Sequence, residues 1–430
     1  MHKPYTFRPL DHALATQFPS IHLPYGMADW PTRNVKVDKN SIRGRWGYNT
    51  VDRTLDSAVQ HIIVYQLKIG SRYTLYLTDT ELCKKETGAS KTWSFLTEMG
   101  SYTGTTQVDA IASDVVTFEA ATTLQTDGVE EGDYFVLDED LTSDEEPDSS
   151  WRVIEKVDSE TQLTLTANYQ KNVTSPGAKD AYIRKVYSTP SNERWWYTIV
   201  DDKFCFGNGN TNVQYWAGSN YAAALDSTNA IKARYGVAYS SRLIIADEGS
   251  TRDPVMLKWS KKGDPTDWTD STAGQKQFLE TEDIITGLGV VGDTLIVYKR
   301  ESLVFGHQTG ESTAPIIFPD RKLGTGNIAP YSIVHYLGKN AFIGRNNFYE
   351  IDTSLNVIPI GTQLKDKFFE IVGETEAEHT WGFVNHEEHE LVWIANTSEG
   401  QLAFVIDYLT GESSIYEYAH TIYGAGKGAV

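Results

Sequence analysis

The chain has 430 residues, of which 38 are Lys or Arg and 58 are Asp or Glu, leaving a net charge of −20. With 40% apolar, 12% aromatic and 22% charged residues it can bury a large core, which excludes whole-chain disorder. The acidity argues against a dedicated nucleic-acid binder, which would present a basic face.

Two cysteines, Cys83 and Cys205, are too few for a disulfide framework and fit a reducing compartment during synthesis. No apolar run approaches the roughly 20 residues of a membrane span, so no membrane insertion is expected. The start, Met1-His2-Lys3-Pro4, lacks the apolar stretch of a signal peptide.

Taken in order, the chain reads as short aromatic strands broken by Gly, Asn and Asp. Arg43-Gly44-Arg45-Trp46-Gly47-Tyr48 comes first. Its basic and aromatic mixture can stack on nucleic acid, but in so acidic a chain it reads as a turn and a packed strand end. The first strand pair is His61–Tyr65 with Tyr73–Leu77. The same unit returns as Trp196–Val200 with Lys203–Phe206, Leu243–Ala246 with Val255–Trp259, and Leu295–Tyr298 with Ser302–Phe305. It ends with Ala341–Ile343 and Phe348–Ile351, then Leu391–Ile394 and Leu402–Ile406.

From Ile245 onward the copies recur at about 45 to 50 residues, the period of one propeller blade. Blades stacked radially bury faces that a single sheet leaves open. The expected fold is therefore all-β, a β-propeller with an inserted small β domain; a pair of β-sandwiches is the alternative.

The insertion is expected where the repeat lapses. The expected division is 1–99 for an N-terminal segment and first blade, 100–185 for the insertion, and 186–430 for the remaining blades. Within the insertion, Val115–Phe118, Tyr134–Leu137, Trp151–Ile154 and Leu163–Thr166 read as strands. Asp127 to Asp148 carries eleven acidic residues and no Lys or Arg, over half the net charge, and Leu141 to Ser150 reads as a solvated loop. Helical periodicity is confined to Gln363–Val372, where Leu364, Phe368, Phe369 and Val372 share a face, and, more weakly, Tyr221–Arg234.

Several short motifs invite chemistry. His386-Glu387-Glu388-His389 has its histidines at i, i+3 and not the i, i+4 of a helical zinc motif, and sits between two strands, so a hairpin turn is expected. Asp138-Glu139-Asp140 with Asp144-Glu145-Glu146 lacks the Gly and the alternation of a calcium loop and reads as a solvent-relieved acidic cluster. Gly207-Asn208-Gly209-Asn210 and Gly324-Thr325-Gly326-Asn327 lead into no convincing helix and read as turns needing positive φ, not phosphate cradles. There is no G-x-S-x-G elbow and no Cys–His signature. Carboxylate pairs for glycoside hydrolysis would come from distant segments and stay open. Ser260 to Trp268 resembles the Asp-box of sialidases but places its Asp after the Gly.

That nonapeptide also opens a second resemblance. Trp259-Ser260 through Gly263-Asp264-Pro265 to Trp268, then Ile284 to Gly289, Gly292 to Arg300 and Ser302 to Gly306, are similar to the propeller core of bacteriophage tail nozzle proteins. These close the tails of short-tailed phages and are also called tail hub or packaged-DNA stabilisation proteins. Arg43–Tyr48, Gly132–Phe135 with Trp151–Ile154 and Gln162–Leu165, and Ile358–Gly361 leading into Leu364–Phe369 follow the same pattern. The likeness is tight over Val255 to Phe305 and carries no catalytic, cofactor-binding or metal residue.

The resemblance implies a non-enzymatic virion protein that retains the packaged genome and conducts it during ejection. It implies a homo-oligomeric ring of six copies below a tail adaptor or portal-side protein, with tail fibres or a spike attached and double-stranded DNA in transient passage. The virion tail is the expected location, reached from the host cytoplasm during assembly. An acidic conduit suits that passage, because basic contacts hold DNA firmly. The rivals are a propeller glycosidase or lectin acting on host surface glycan, and another head-completion or baseplate protein.

Overall fold

The computed structural model describes residues 14–15, 28–29, 35–38, 41–44, 57–86, 93–141, 151–190, 193–226, 231–248, 253–280, 283–418 and 421–426. Among them, six antiparallel sheets follow one another as the blades of a β-propeller. Blade 1 comprises Val59–Gln66, Arg72–Thr78, Leu82–Glu86 and Trp93–Phe95; blade 2 comprises Trp196–Val200, Lys203–Gly207, Gln214–Trp216 and Ala223–Ala224. Blade 3 is built from Ala233–Tyr239, Arg242–Glu248, Asp253–Trp259 and Gly274–Gln277, and blade 4 from Ile285–Val291, Thr294–Lys299, Ser302–Gln308 and Ile316–Leu323. Val334–Tyr336, Lys339–Ile343, Phe348–Ile351 and Val357–Pro359 form blade 5, and Trp381–Asn385, Glu390–Thr397, Gly400–Asp407 and Ser413–Glu417 form blade 6. Each expected strand pair is a hairpin of one blade.

The second strand of a blade explains why the pairs stood out in the sequence. It packs on both faces, so it reads as a continuous apolar run. In blade 4, Leu295 and Val297 join the cluster shared with blade 3, while Ile296 and Tyr298 join the one shared with blade 5. Blade 3 repeats the device, with Leu243 and Ile245 toward blade 2 and Ile244 and Ala246 toward blade 4. In blade 6, Leu391 and Trp393 face blade 5, and Val392 and Ile394 face the closing segment.

The ring is closed by the chain end. Ala425–Gly426 lies parallel to Val59–Gln66, with Ala425 opposite His61. A Cβ on Gly424 would come within 2.1 Å of the Gln60 carbonyl oxygen, so a side chain there would block the approach.

Between blades 1 and 2 lies a seven-stranded antiparallel sheet in the order Val108–Ala112, Val115–Phe118, Gln162–Leu165, Arg152–Ser159, Tyr134–Leu137, Ala181–Arg184 and Met99–Tyr102. Its entering and leaving strands are neighbours, Tyr102 facing Ala181 and Met99 facing Arg184. Three of its strands, Met99–Tyr102, Val108–Ala112 and Ala181–Arg184, had no counterpart in the sequence reading. Arg184 is fully buried at the joint, its guanidinium 4.6 Å from the Phe95 ring of blade 1 and 5.0 Å from the Trp151 ring.

Of the two expected helices, one forms and one does not. Lys365–Ile371 is helical and buries Phe368 on Phe348 and Phe404 between blades 5 and 6. The Tyr221–Arg234 expectation is corrected. Ala223–Ala224 pairs as the outer strand of blade 2, Ala222 donates its N–H to the Leu96 carbonyl, and Ala233 opens blade 3. Alanine propensity there yields to sheet pairing, since intrinsic preference is a weak prior.

Candidate functional site

The first strands of the blades surround the propeller axis, and residues from five of them, with Ile333 just before that of blade 5, meet there. His61 comes from blade 1, Trp196 and Tyr197 from blade 2, and Tyr235 and Gly236 from blade 3. Gly287 and Leu288 of blade 4, Ile333 just before blade 5, and Trp381 and Gly382 of blade 6 complete the wall of a cavity of about 230 Å³. Glycine is needed where neighbours crowd the backbone: a Cβ on Gly236 would lie 2.3 Å from the Trp196 ring, and one on Gly287 would lie 2.4 Å from the Ile333 Cδ1 methyl. Trp196 is fixed in turn by its indole N–H, which donates to the Ala233 carbonyl at 2.9 Å.

Charge enters this aromatic cavity through the segment before blade 2. Glu193 accepts from Arg234 Nε at 2.9 Å and from the Tyr331 hydroxyl, so one carboxylate ties blade 3 to the turn before blade 5. Burial pushes the Tyr331 hydroxyl up to about 12. Arg194 is held differently. Its Nη2 donates to the Tyr423 carbonyl at 2.6 Å and its guanidinium lies 4.3 Å from the Trp381 ring centre. Crowding by protein lowers its pKa to about 10, yet the side chain keeps partial solvent access.

His61 Nε2–H donates to the Trp195 carbonyl at 2.7 Å. Burial first, and the Arg194 charge second, hold its pKa down to about 3, so the ring is neutral. Tyr235 is 5% exposed and its hydroxyl has no hydrogen-bond partner; burial raises its pKa well above the ordinary value. No Asp or Glu is among the described residues lining the cavity. The arrangement offers donors, positive charge and flat apolar walls.

A roomier hollow of about 630 Å³ lies between the hairpins of blades 3 and 4. There the Tyr239 hydroxyl donates to the Asp293 carbonyl at 2.8 Å and accepts from the Gln308 N–H at 3.0 Å. Ser240 likewise donates to Gln308 Oε1, so these groups are engaged with each other, and the axial cavity, with its guanidiniums and aromatic walls, is the stronger candidate.

The motifs singled out in the sequence lie elsewhere. His386 to His389 form the turn between the first two strands of blade 6, as expected, with His389 at φ 60°. No group of three or more His, Cys, Asp or Glu among the described residues is placed to hold a metal ion. Asp138–Asp140 forms a 3₁₀ turn whose carboxylates are not merely solvated: Glu139 pairs with Lys179 at 2.7 Å, and Asp140 pairs with Lys171. Residues 144–146 lie outside the described residues.

Gly209 and Gly324 have φ of 79° and 76°, the turn geometry expected. Gly207 is required for another reason, since a Cβ there would meet the Trp196 ring at 2.9 Å. Arg43 and Gly44 end the strand Ser41–Gly44, and 45–48 lie outside the described residues. Cys83 and Cys205 are both buried.

In the nonapeptide, Ser260 is fully buried, accepting from the Leu243 N–H and donating to the Lys261 carbonyl. Asp264, Asp267 and Asp270 each turn back onto the next residues: Asp264 accepts from Thr266 N, Asp267 from Thr269 N, and Asp270 from Thr272 N. Lys203 reaches Asp264 and Lys261 reaches Asp267. Arg242 Nη1 clamps the loop by donating to the carbonyls of Ser260 and Thr272 at 2.7 and 2.8 Å.

No protein-family model and no curated protein matches the chain. Among solved structures it is similar to the Pan2 WD40 domain of Neurospora crassa, at 9% identity and TM-score 0.32, over 73% of this chain and 79% of that one. It is also similar to the dihydro-heme d1 dehydrogenase NirN in complex with DHE, at 7% identity and TM-score 0.34, over 70% of this chain and 57% of that one. A third is the endosialidase of phage phi92, at 12% identity and TM-score 0.25, over 87% of this chain and 60% of that one. Likenesses at these identities concern the fold alone.

Proposed function

We propose that the chain is a structural subunit of a phage tail, a propeller disc in the wall of a ring-shaped nozzle that retains the packaged genome and conducts it during ejection. The observation that carries this reading is the state of the segment resembling the nozzle family. Its carboxylates Asp264, Asp267 and Asp270 are engaged by their own loop and by Lys203 and Lys261. Below it, Thr294–Lys299 is buried along its whole length. Such a tied-down, buried segment suits a rigid wall element.

The axis also bears on how DNA would pass. A cavity of about 230 Å³, room for roughly eight waters, is far too small for a duplex. The conduit therefore has to form between copies, which calls for a homo-oligomeric ring, taken as six subunits. The acidic chain suits such a lumen, since basic contacts would retard the genome. A tail adaptor above and fibres or a spike below are the partners of this reading, and the acidic stretch Asp127 to Asp148 is assigned to distal attachment. The described residues contain no helix long and apolar enough to cross a membrane.

Particles assembled without this protein test the proposal. They should leak DNA or fail to bind the distal tail parts; particles that keep their genome and a complete tail would overturn it. Because 127–148 contains the buried strand Tyr134–Leu137, its exposed acidic residues are better replaced by amides than deleted; such particles should lose fibres, and a full fibre complement would remove the attachment role.

A further inference from the structure

We infer that the axial cavity is a binding site for a small organic carboxylate with a flat or ring-shaped body, independent of the role as a wall subunit. The argument begins with Arg194. It makes no ion pair with any described carboxylate; its fixed contacts are the Tyr423 carbonyl and the Trp381 ring. Arg234, the other guanidinium at the cavity, is already matched by Glu193. Arg194 is thus a positive charge with no direct ion pair, and Asp79, itself held by Gln60, acts on it only from a distance. A partly enclosed cation without a counter-ion is unfavourable unless an anion completes it.

Three further features shape the ligand. Tyr235 lines the same cavity, and its hydroxyl is buried without a hydrogen-bond partner. His61, on the same cavity and close enough to feel the Arg194 charge, stays neutral, with Nε2–H engaged by the Trp195 carbonyl, so it adds no second charge. Trp196, Tyr197 and Trp381 supply aromatic walls, and such faces hold flat or ring-shaped bodies by stacking while a guanidinium takes a carboxylate in a fork. About 230 Å³ admits one ring with its carboxylate and no more.

The ligand could be a free aromatic acid or the acidic sugar that ends a glycan; both present a carboxylate on a ring. The test is calorimetric and tryptophan-fluorescence titration of the full chain with benzoate, a glucuronate-ended disaccharide, and glucose as the neutral control. Saturable binding of either acid that weakens with salt, without binding of glucose, is the expected result. Benzoate alone would identify a free acid, and the disaccharide alone a glycan end. Arg194→Gln should weaken binding at least about tenfold. Tyr235→Phe removes a hydroxyl that bonds to nothing, so it should fold normally and weaken binding a fewfold.

Because Arg194 also holds the closing segment, Arg194→Lys separates charge from fold: if Arg194→Gln melts early, retained binding in Arg194→Lys supports the site and lost binding overturns it. Failure of both acids to bind wild-type protein, equal binding of glucose, or unchanged affinity in both Arg194→Gln and Tyr235→Phe overturns the inference. None of these results bears on genome retention, so the site and the nozzle role stand or fall separately.

Discussion

Gln401 of blade 6 grips Ile422 of the closing segment from both sides. The Ile422 N–H donates to Gln401 Oε1 at 2.6 Å, and Gln401 Nε2 donates to the Ile422 carbonyl at 3.2 Å. Three residues later the chain lies against the first strand of blade 1. This side chain therefore links the last blade to the first. Gln401→Leu keeps the size and removes both bonds, and should destabilise the protein by about 2 kcal/mol. Gly424→Ala should destabilise it at least as much, because the new Cβ would press on the Gln60 carbonyl. Denaturant unfolding monitored by tryptophan fluorescence reads both; unchanged midpoints would mean that the ring is closed by other contacts.

Removing the charge of Glu193 should be costly, because Arg234 would then be left partly buried without its partner. Their side chains are 12% and 21% exposed. Glu193→Gln should destabilise by about 3 kcal/mol, and the double variant Glu193→Gln, Arg234→Met should recover part of it. Tyr331→Phe should have a smaller effect, about 1 kcal/mol, since it removes one hydrogen bond and leaves the ion pair. A double-mutant cycle with no coupling would contradict the network.

Asp133 gives a pH dependence with a definite sign. Burial raises its carboxyl to about 6, against the two backbone N–H groups of Glu130 and Val186 that favour the charged form. The unfolded chain releases that proton near pH 4. Between about pH 4 and 6 the folded state holds more protons, so this group's contribution to stability falls as pH rises, by at most about 1.4 kcal/mol per pH unit. Asp133→Asn should flatten the stability profile over that window, whatever it does to the absolute level. An NMR titration placing Asp133 near 4 would refute the assignment.

The loop from Ser260 to Thr272 should behave in the opposite way. Backbone and side-chain donors hold Asp267 and Asp270 below the usual carboxylate range. Their contribution is complete above the unfolded value near 4 and is lost as pH falls through the lower folded values. Arg242→Leu should loosen the same loop at every pH, because it strips donors from the Ser260 and Thr272 carbonyls; about 2 kcal/mol is expected. Amide exchange of Thr269 and Thr272 checks both statements.

Much of the fold was legible because a strand packed on both faces leaves a plain mark. Leu243–Ala246 and Leu295–Tyr298 are unbroken apolar runs, and they form the second strands of their blades. The outer strands carry little signal. Ala223–Ala224 pairs for only two residues, so its alanines suggested a helix instead. Met99–Tyr102 and Ala181–Arg184 are stabilised by each other across about eighty residues, a pairing that no local pattern reveals.

The axial site was illegible for the same reason. His61, Arg194, Tyr235 and Trp381 are far apart in the chain, and closure of the ring is what brings them together. Glu193-Arg194-Trp195-Trp196, a charged pair beside two tryptophans, was the one local hint. The motifs that did attract attention, such as His386 to His389, are turns, because close spacing in sequence is commonest where a hairpin reverses.

The central claim is that the propeller serves as a wall element around a conduit formed between copies. Electron cryo-microscopy of the intact particle tests it most directly. The account predicts a ring of these discs at the end of the tail, with DNA density running between subunits and none entering the propeller axes. Discs found singly on fibres or in solution, or density threading a propeller axis, would contradict it.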